Sequence, residues 1–377
     1  MFQHLKVLEL ATVLAGPSVG QFFAELGAEV IKVENPATGG DVTRSWKAAG
    51  EQTDDRSAYF CAVNFGKKSI AVKLDTPEGR AIVHQLVRDS DIVIASYKPG
   101  DARRLGVDYD TLKVLQPKLI YGQITGYGSH DARVGYDAVI QAEAGFMYMN
   151  GVPGGESLKM PVALIDVLAG HHLKEGILVA MLRQQKTGKS EFVEVSLIQA
   201  AVASLVNQAT NWLIAGQVPE KKGSAHPNIA PYGDVFKTAD GDEFLLSVGN
   251  DRQFGDLCAV LGIPEAAQDQ RFITNTARVA NRPQLNMILR EKIAQQSATG
   301  LLQALQRHKI PGGRISSVQQ VFETPEAQEL VLRSIDRLGV KTYAAQPFPE
   351  KSSHFLPPPH LGEHTVEILA KLGLKQA

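Results

Sequence analysis

Three stretches near the start of the chain are the most informative about its architecture: LKVLEL at residues 5–10, PSVGQFFAELGA at 17–28 and EVIKVE at 29–34. The first and third are short and apolar, which predicts buried strands, while the second has the apolar spacing of a helix. The same order returns in SIAVKL at 69–74, PEGRAIVHQLVRDS at 77–90 and DIVIAS at 91–96. Repeated units of this kind predict an α/β fold with a parallel, Rossmann-like sheet.

The rest of the chain predicts a second, smaller α+β domain. After Trp212, the segment AGQVPEKKGSAHPNIAP is rich in Gly, Pro and Lys and reads as a linker. A hairpin is predicted around Asp240-Gly241, followed by short amphipathic helices at 251–308. We therefore expect a large Rossmann-like domain from residues 1–214, a small domain from 215–310, and a return to the large domain over 311–377.

Composition narrows the class of partner. The 377 residues include 39 basic and 40 acidic side chains, so there is no broad electrostatic reason to bind nucleic acid or an anionic membrane. The only cysteines, Cys61 and Cys258, form neither a disulfide framework nor a thiolate metal site. The apolar run at 161–182 contains charged residues and is expected to be a buried helix. With no secretory signal, we expect a cytoplasmic protein that binds a small molecule.

The familiar nucleotide-binding and metal-site motifs are incomplete in this sequence. The glycine turn before Glu34 does not fit GxGxxG, and TGKS at 187–190 lacks the first glycine of a phosphate loop, because Arg183 stands in its place. The histidine pairs do not form a metal-site pattern, and neither cysteine lies in a family-type nucleophile signature. We therefore expect no metal and no permanently bound cofactor, and the pattern alone leads only to a two-domain α/β enzyme.

An ordered series of motifs is similar to the class III coenzyme A transferases, which include the formyl-CoA:oxalate and carnitine CoA-transferases. The pieces, in chain order, are GPSVGQFFAELGAEVIKVE, GDVTR, NFGKKSIAVKL, YKPGDARRLGVDY, LIYGQITGYG, GYDAVIQAEAG, DVLAG, TGKSEFVEVSL, PYGDVF and GNDRQF. The resemblance implies a large domain built from both ends of the chain, a smaller domain between them, and a homodimer of interlinked, ring-like subunits. It also implies that coenzyme A and acyl-CoA are substrates.

The resemblance assigns the nucleophile to Asp166, at the start of the D-x-x-A-G helix. Such a carboxylate can attack a thioester to give an aspartyl-acyl anhydride, which the thiolate then converts into an aspartyl-CoA thioester. Without the resemblance, Asp166 would be read as an acidic residue in the first turns of a helix, favoured there by the helix dipole. The two readings differ in what substitution of Asp166 should do to activity.

Further residues are expected to bind the substrates. The resemblance assigns Lys67, Lys68, Lys98 and Arg104 to segments that contact coenzyme A, where cations would meet its phosphates. It also places Tyr136 and Asp137 at the reacting end of the site.

From its position just before these two residues, Arg133 is predicted to clamp the distal carboxylate of a dicarboxylic acceptor, with His130 assisting. The expected donor is succinyl-CoA or a similar thioester.

Departures from the family pattern leave alternatives open. Asn35 and the segment 95–100 differ from the usual coenzyme A contacts, and the mobile glycine-rich loop of oxalate-using members is not evident, which disfavours oxalate and formate. The same superfamily includes α-methylacyl-CoA racemases, which use a His and an Asp as acid and base, but their characteristic segment is not seen. A non-catalytic acyl-CoA-binding protein is a second alternative, which exchange of labelled coenzyme A would distinguish.

Overall fold

The computed structural model describes residues 1–342 and 355–374. Its contacts divide the chain into two compact units. The first comprises Met1–Phe146, Lys159–Gln217 and Gln328–Ala377, and the second comprises Met147–Leu158 and Val218–Ala327.

The first unit is built on a six-stranded parallel sheet. Its strands are β1 (Lys6–Leu10), β2 (Glu29–Glu34), β3 (Lys67–Ala71), β4 (Ile92–Ala95), β5 (Ile120–Thr125) and β6 (Glu191–Ser196). They lie in the order β3-β2-β1-β4-β5-β6, which is the doubly wound order of Rossmann folds. The predicted α/β class with a parallel sheet is confirmed.

The remaining described strands are antiparallel. They are β7 (Tyr232–Lys237), β8 (Glu243–Ser247) and β9 (Gly312–Arg314), which form one sheet, and the hairpin strands β10 (Val331–Arg333) and β11 (Leu338–Val340). As predicted, β7 and β8 form a hairpin across Asp240-Gly241, where Gly241 supplies a positive φ of 83°. Residues 312–314, which the sequence placed in the return to the large domain, instead pair with β8 in the second unit.

The described residues form seventeen α-helices. In chain order they are α1 (Ala15–Glu25), α2 (Ala58–Cys61), α3 (Pro77–Arg88), α4 (Asp101–Arg104), α5 (Tyr109–Leu115), α6 (Asp137–Glu143), α7 (Phe146–Met149), α8 (Leu164–Thr187), α9 (Leu197–Ala203), α10 (Asn207–Leu213), α11 (Asp251–Val260), α12 (Asn275–Ala280), α13 (Arg282–Ile293), α14 (Ala298–Arg307), α15 (Val318–Val321), α16 (Pro325–Gln328) and α17 (Thr365–Lys371). None of these is both long and apolar enough to span a membrane.

Both faces of the parallel sheet are covered, which explains why its strands read as continuous apolar runs. Successive side chains alternate between the faces, so Val7 joins a core with α1 and α8 while Leu8 joins a core with α3, α5 and α17. The helices α1 and α8 pack closely because Gly170 has no side chain. A Cβ at that position would lie 2.4 Å from the Ser18 hydroxyl.

Candidate active site

A cleft of about 240 Å³ lies beyond the carboxyl ends of β1, β4 and β5. Its walls are formed by the turn after β1, by residues 96–99 after β4, by residues 124–126 at the end of β5, by residues 133–136 after β5, and by Asp166 of α8. Strand order reverses between β1 and β4, and doubly wound sheets bind their ligands at this switch point. The cleft is therefore where this fold is expected to hold a substrate.

Asp166 is buried in the cleft wall without a partner for its charge. It is the third residue of α8 and its side chain is only 8% exposed. Among residues 1–342 and 355–374, none donates a hydrogen bond to its carboxylate. Burial, and secondly the charge of Asp137, raise the pKa of Asp166 to about 7. The carboxylate is consequently basic, and it exists in both protonation states near neutral pH.

Asp137 connects α6 to the start of α8. Its Oδ1 accepts a hydrogen bond from the Ile165 N–H at 2.7 Å, and its Oδ2 accepts one from Gln141 Nε2 at 2.7 Å. The N-cap residue of α8, Ala163, makes no side-chain hydrogen bond that caps the helix. Asp137, which is distant in sequence, instead accepts a hydrogen bond from one of the free N–H groups in the first turn of α8. This contact fixes the negative charge of Asp137 next to Asp166.

Three more predicted residues lie on the cleft wall: Lys98, Arg133 and Tyr136. Within the described part of the chain, no carboxylate pairs with the exposed Lys98 ammonium. The Arg133 guanidinium lies 3.8 Å from the centre of the Tyr127 ring and pairs with Asp131 at 2.9 Å. These contacts hold Arg133 against the wall while leaving its side chain largely exposed.

Lys67 is not available to a phosphate, which corrects the sequence-based expectation. It is fully buried, and its Nζ donates to Glu9 Oε2 at 2.7 Å and to Asn64 Oδ1 at 2.9 Å. An alternating strand pattern cannot distinguish this arrangement from a surface cation, because the partner Glu9 is 58 residues away.

Lys68, Arg104 and His130 are not among the residues that line the cleft. Lys68 lies in β3 near its amino end, where it pairs with Glu29 at 2.9 Å. Arg104 is exposed and pairs with Asp101 one turn earlier in α4. His130 belongs to the exposed loop after β5. The structure thus brings together Asp166, Asp137, Tyr136, Arg133 and Lys98 from the nine predicted site residues.

The sequence reasoning missed the turn between β1 and α1. Thr12 and Val13 of this turn, together with Ala15 and Gly16 at the start of α1, line the cleft. Val13 has a φ of 73°, a conformation that a β-branched residue rarely adopts. The sequence signal here was the Gly16-Pro17 pair at the end of an apolar segment, which marks a turn but does not reveal strain.

Tyr59 was also missed. It follows Ser57, whose side chain caps α2, and its ring meets that of Trp46 edge-on at 5.2 Å. Burial, and then the charges of Asp166 and Asp137, raise the pKa of its phenol. The phenol is therefore neutral, and it is close enough to both carboxylates for their charges to raise its pKa. A single tyrosine between a polar loop and an apolar segment carries no distinguishing pattern.

One group of described residues has the composition of a metal site. Ligand atoms of Asp54, Asp55 and His360 lie within 4.8 Å of one another. The Asp54 carboxylate, however, accepts hydrogen bonds from Arg56 at 2.6 Å and from Arg337 at 2.8 Å. These arginines already neutralise the group, so its geometry gives no support for a bound cation.

Comparisons with known proteins identify the family. The model of CoA-transferase family III matches residues 2–365. The chain belongs to CoA-transferase family III. It is 40% identical to the succinate–glutarate CoA-transferase of Agrobacterium fabrum, covering 98% of this chain and 94% of that one. It is 35% identical to the human succinyl-CoA:glutarate CoA-transferase, covering 98% and 85%. A CaiB/BaiF family protein from Brucella suis has a solved structure with a TM-score of 0.85 at 40% identity, covering 98% of each chain.

The predicted family and enzyme class are confirmed by these matches. The protein is a CoA-transferase, and enzymes of this kind use CoA thioesters as substrates.

Proposed function

We propose that this transferase moves coenzyme A from succinyl-CoA, or a similar thioester, to a small dicarboxylic acid, with Asp166 as the nucleophile. The observation that carries the proposal is the buried, unpaired Asp166 carboxylate in the wall of the cleft. Relatives named for succinate, succinyl-CoA and glutarate support the substrate class.

The reaction needs only carboxylate and thioester chemistry. The ionised Asp166 attacks the donor thioester, the C–S bond breaks, and an aspartyl-acyl anhydride and the coenzyme A thiolate form. The thiolate then attacks the Asp166 carbonyl, releasing the donor acid and leaving an aspartyl-CoA thioester. An incoming carboxylate repeats the two steps in reverse order, which yields the new acyl-CoA and restores Asp166.

Each step places negative charge on a carbonyl oxygen beside Asp166. The N-terminus of α1 provides candidate donors, since Ala15 and Gly16 line the cleft and the N-cap residue Leu14 provides no side-chain cap. The first turn of a helix presents N–H groups without partners inside the helix, and such groups stabilise a developing oxyanion. We assign the oxyanion site to these amides.

Lys98 and Arg133 are the candidate cations for the two substrates. Lys98 is exposed at the cleft and has no carboxylate partner in the described segments, which suits a phosphate of coenzyme A. Arg133 lies on the wall formed after β5 and suits the distal carboxylate of the acceptor. Tyr136, which is 59% exposed beside it, provides a hydroxyl that can reach the same acid.

The proposed working form is a cytoplasmic homodimer with interlinked subunits. In the first unit, exposed apolar side chains gather along α8 and around α10, including Leu182 at 62%, Leu213 at 76% and Ile214 at 83% exposed. Large apolar side chains in such numbers are typical of a surface that another chain covers.

A substrate screen tests the proposal. Purified protein is mixed with succinyl-CoA and each dicarboxylic acid from two to six carbons, and the CoA esters are identified by mass spectrometry. We expect an acceptor-dependent new acyl-CoA, with free coenzyme A remaining constant. Binding of succinyl-CoA without any exchange would instead identify a non-catalytic acyl-CoA-binding protein.

A further inference from the structure

Four buried charged residues lie below the turn between β1 and α1. This ionic cluster consists of Glu9, Lys32, Asp41 and Lys67, all at most 1% exposed. Lys32 Nζ lies 3.0 Å from Glu9 Oε1 and 2.9 Å from Asp41 Oδ2, and Lys67 Nζ lies 2.7 Å from Glu9 Oε2. Two cations and two anions balance, and none of the four lines the cleft.

The ionic cluster holds the turn at three points of its backbone. The hydrogen bonds run from Lys32 Nζ to the Ala11 carbonyl at 2.8 Å, from the Val13 N–H to Asp41 at 3.3 Å, and from Lys67 Nζ to the Pro17 carbonyl at 2.9 Å. The Ala11 and Pro17 anchors flank the segment that lines the cleft, and the Val13 anchor lies within it. Backbone groups that face the protein interior are thereby satisfied by the cluster.

The conformation at Val13 requires such support. A φ of 73° is unfavourable for valine and persists only where surrounding contacts determine it. Strained backbone of this kind is concentrated at functional sites. Here the strained residue lies in the cleft wall, and its N–H is held by Asp41.

The composition of the cluster is a second argument. Buried ion pairs contribute little net stability compared with well-packed apolar side chains, whereas they can specify a single geometry. The helix α1 also passes close above the cluster, since a Cβ on Gly20 would lie 1.9 Å from Glu9 Oε2. Well-packed apolar residues could fill this part of the core without the cost of burying charges, so stability alone does not explain the cluster.

We propose that Lys32 and Asp41 are positioning residues, which fix the turn after β1 so that the first amides of α1 face the reacting carbonyl at Asp166. The proposal rests on the proposed function, because it is the covalent route that requires those amides. The two residues act through the backbone of residues 11–17 and touch no substrate.

Asp41→Asn is the first test, because the amide keeps the size of the side chain but loses its charge. We expect kcat for exchange to fall by on the order of 10- to 100-fold, with the KM for succinyl-CoA changed less than about twofold. The matched control is Asp234→Asn in the second unit, which also breaks a buried ion pair, to Arg282 at 2.6 Å. The control should lower Tm and leave kcat unchanged.

A charge-balanced variant, Lys32→Met with Asp41→Asn, covers the case in which the single variant does not fold. It removes one cation and one anion together, so no charge is left buried alone. In addition to a reduced kcat, we expect amide hydrogen exchange at residues 11–16 to be faster than in the wild type.

Unchanged kcat and unchanged amide hydrogen exchange at residues 11–16 in a folded variant would overturn the proposal. If the wild type transfers no coenzyme A at all, the proposed function fails, while the hydrogen-exchange comparison still decides whether the cluster fixes the turn.

Discussion

The charge of Asp137 should shift upward the pH at which this transferase becomes active. Burial and Asp137 together raise the pKa of Asp166 to about 7, and only the ionised carboxylate can attack a thioester. Activity should therefore rise with pH through a midpoint near 7. Replacing Asp137 by Asn removes the repelling charge but keeps an oxygen that can accept the Ile165 N–H.

The expected size of the effect follows from the two causes. Burial is the larger cause of the raised pKa and is unchanged by the substitution, so Asp137→Asn should lower the midpoint by roughly one unit. At pH 6 the ionised fraction of Asp166 would then increase by about fivefold, from roughly one tenth to roughly one half. Loss of the hydrogen bond from Gln141 costs about 1 kcal/mol of stability.

The assay is the initial rate of exchange at saturating substrates between pH 5 and 9. The midpoint of the profile is compared, because the plateau also responds to small changes in geometry. Glu175→Gln is the matched control, since it removes an exposed negative charge from the same helix at a position further along α8. A midpoint for Asp137→Asn at or above the wild-type value would show that the charge of Asp137 does not raise the pKa of Asp166.

Three further outcomes can be measured directly. Asp166→Asn should abolish exchange. Above pH 7 the same substitution should raise the free energy of unfolding by up to about 4 kcal/mol, because a carboxyl whose pKa is raised on folding lowers stability from about pH 4 upward. At pH 4 the free energies of unfolding of the variant and the wild type should be almost equal. Arg133→Ala should raise the acceptor KM by roughly tenfold for dicarboxylates, and an unchanged KM would remove the proposed clamp. Gly170→Ala should lower stability by about 1–3 kcal/mol in denaturant unfolding, because its Cβ would meet Ser18 at 2.4 Å.

The elements of the sheet were predictable because each carries a local signal. The strand β1 is apolar on both faces, and α3 begins at Pro77 after a Thr76 whose hydroxyl accepts from Gly79 N–H. Such signals lie within a few residues of each other, so a pattern search finds them. The order of the strands then follows from short, right-handed connections.

The ionic cluster could not be predicted in the same way. Glu9 and Lys32 are directly opposite each other on β1 and β2, and Lys67 joins them from β3. Each charge is unfavourable in the interior by itself, and becomes tolerable only when three strands have paired in register. A charged residue in an apolar strand therefore suggests a surface position until its partners are known.

Membership of the same sequence motif was also insufficient to predict which of the candidate cations lie at the cleft. Lys98 and Arg104 belong to the same segment, yet only Lys98 lines the cleft. Gly100 has a φ of 87° directly before α4, and the chain then continues into α4, on which Arg104 pairs with Asp101. The conformation of this turn places the two side chains apart. The short sequence of the motif does not determine that conformation.

The buried carboxylates of the first unit differ in whether a cation pairs with them and in the direction of their pKa shifts. Burial by itself would raise the pKa of Glu34 and of Asp41, but Arg44 and Lys32 respectively hold both pKa values below the ordinary range. Asp166 is similarly buried, has no cationic partner among the described residues, and lies beside a second carboxylate. A paired carboxylate is stable and unreactive, whereas an unpaired one at a ligand cleft is costly to the fold and basic enough to attack. Because burying an unpaired carboxylate lowers the stability of the fold, we expect Asp166 to have a catalytic role and not merely to stabilise the N-terminus of α8.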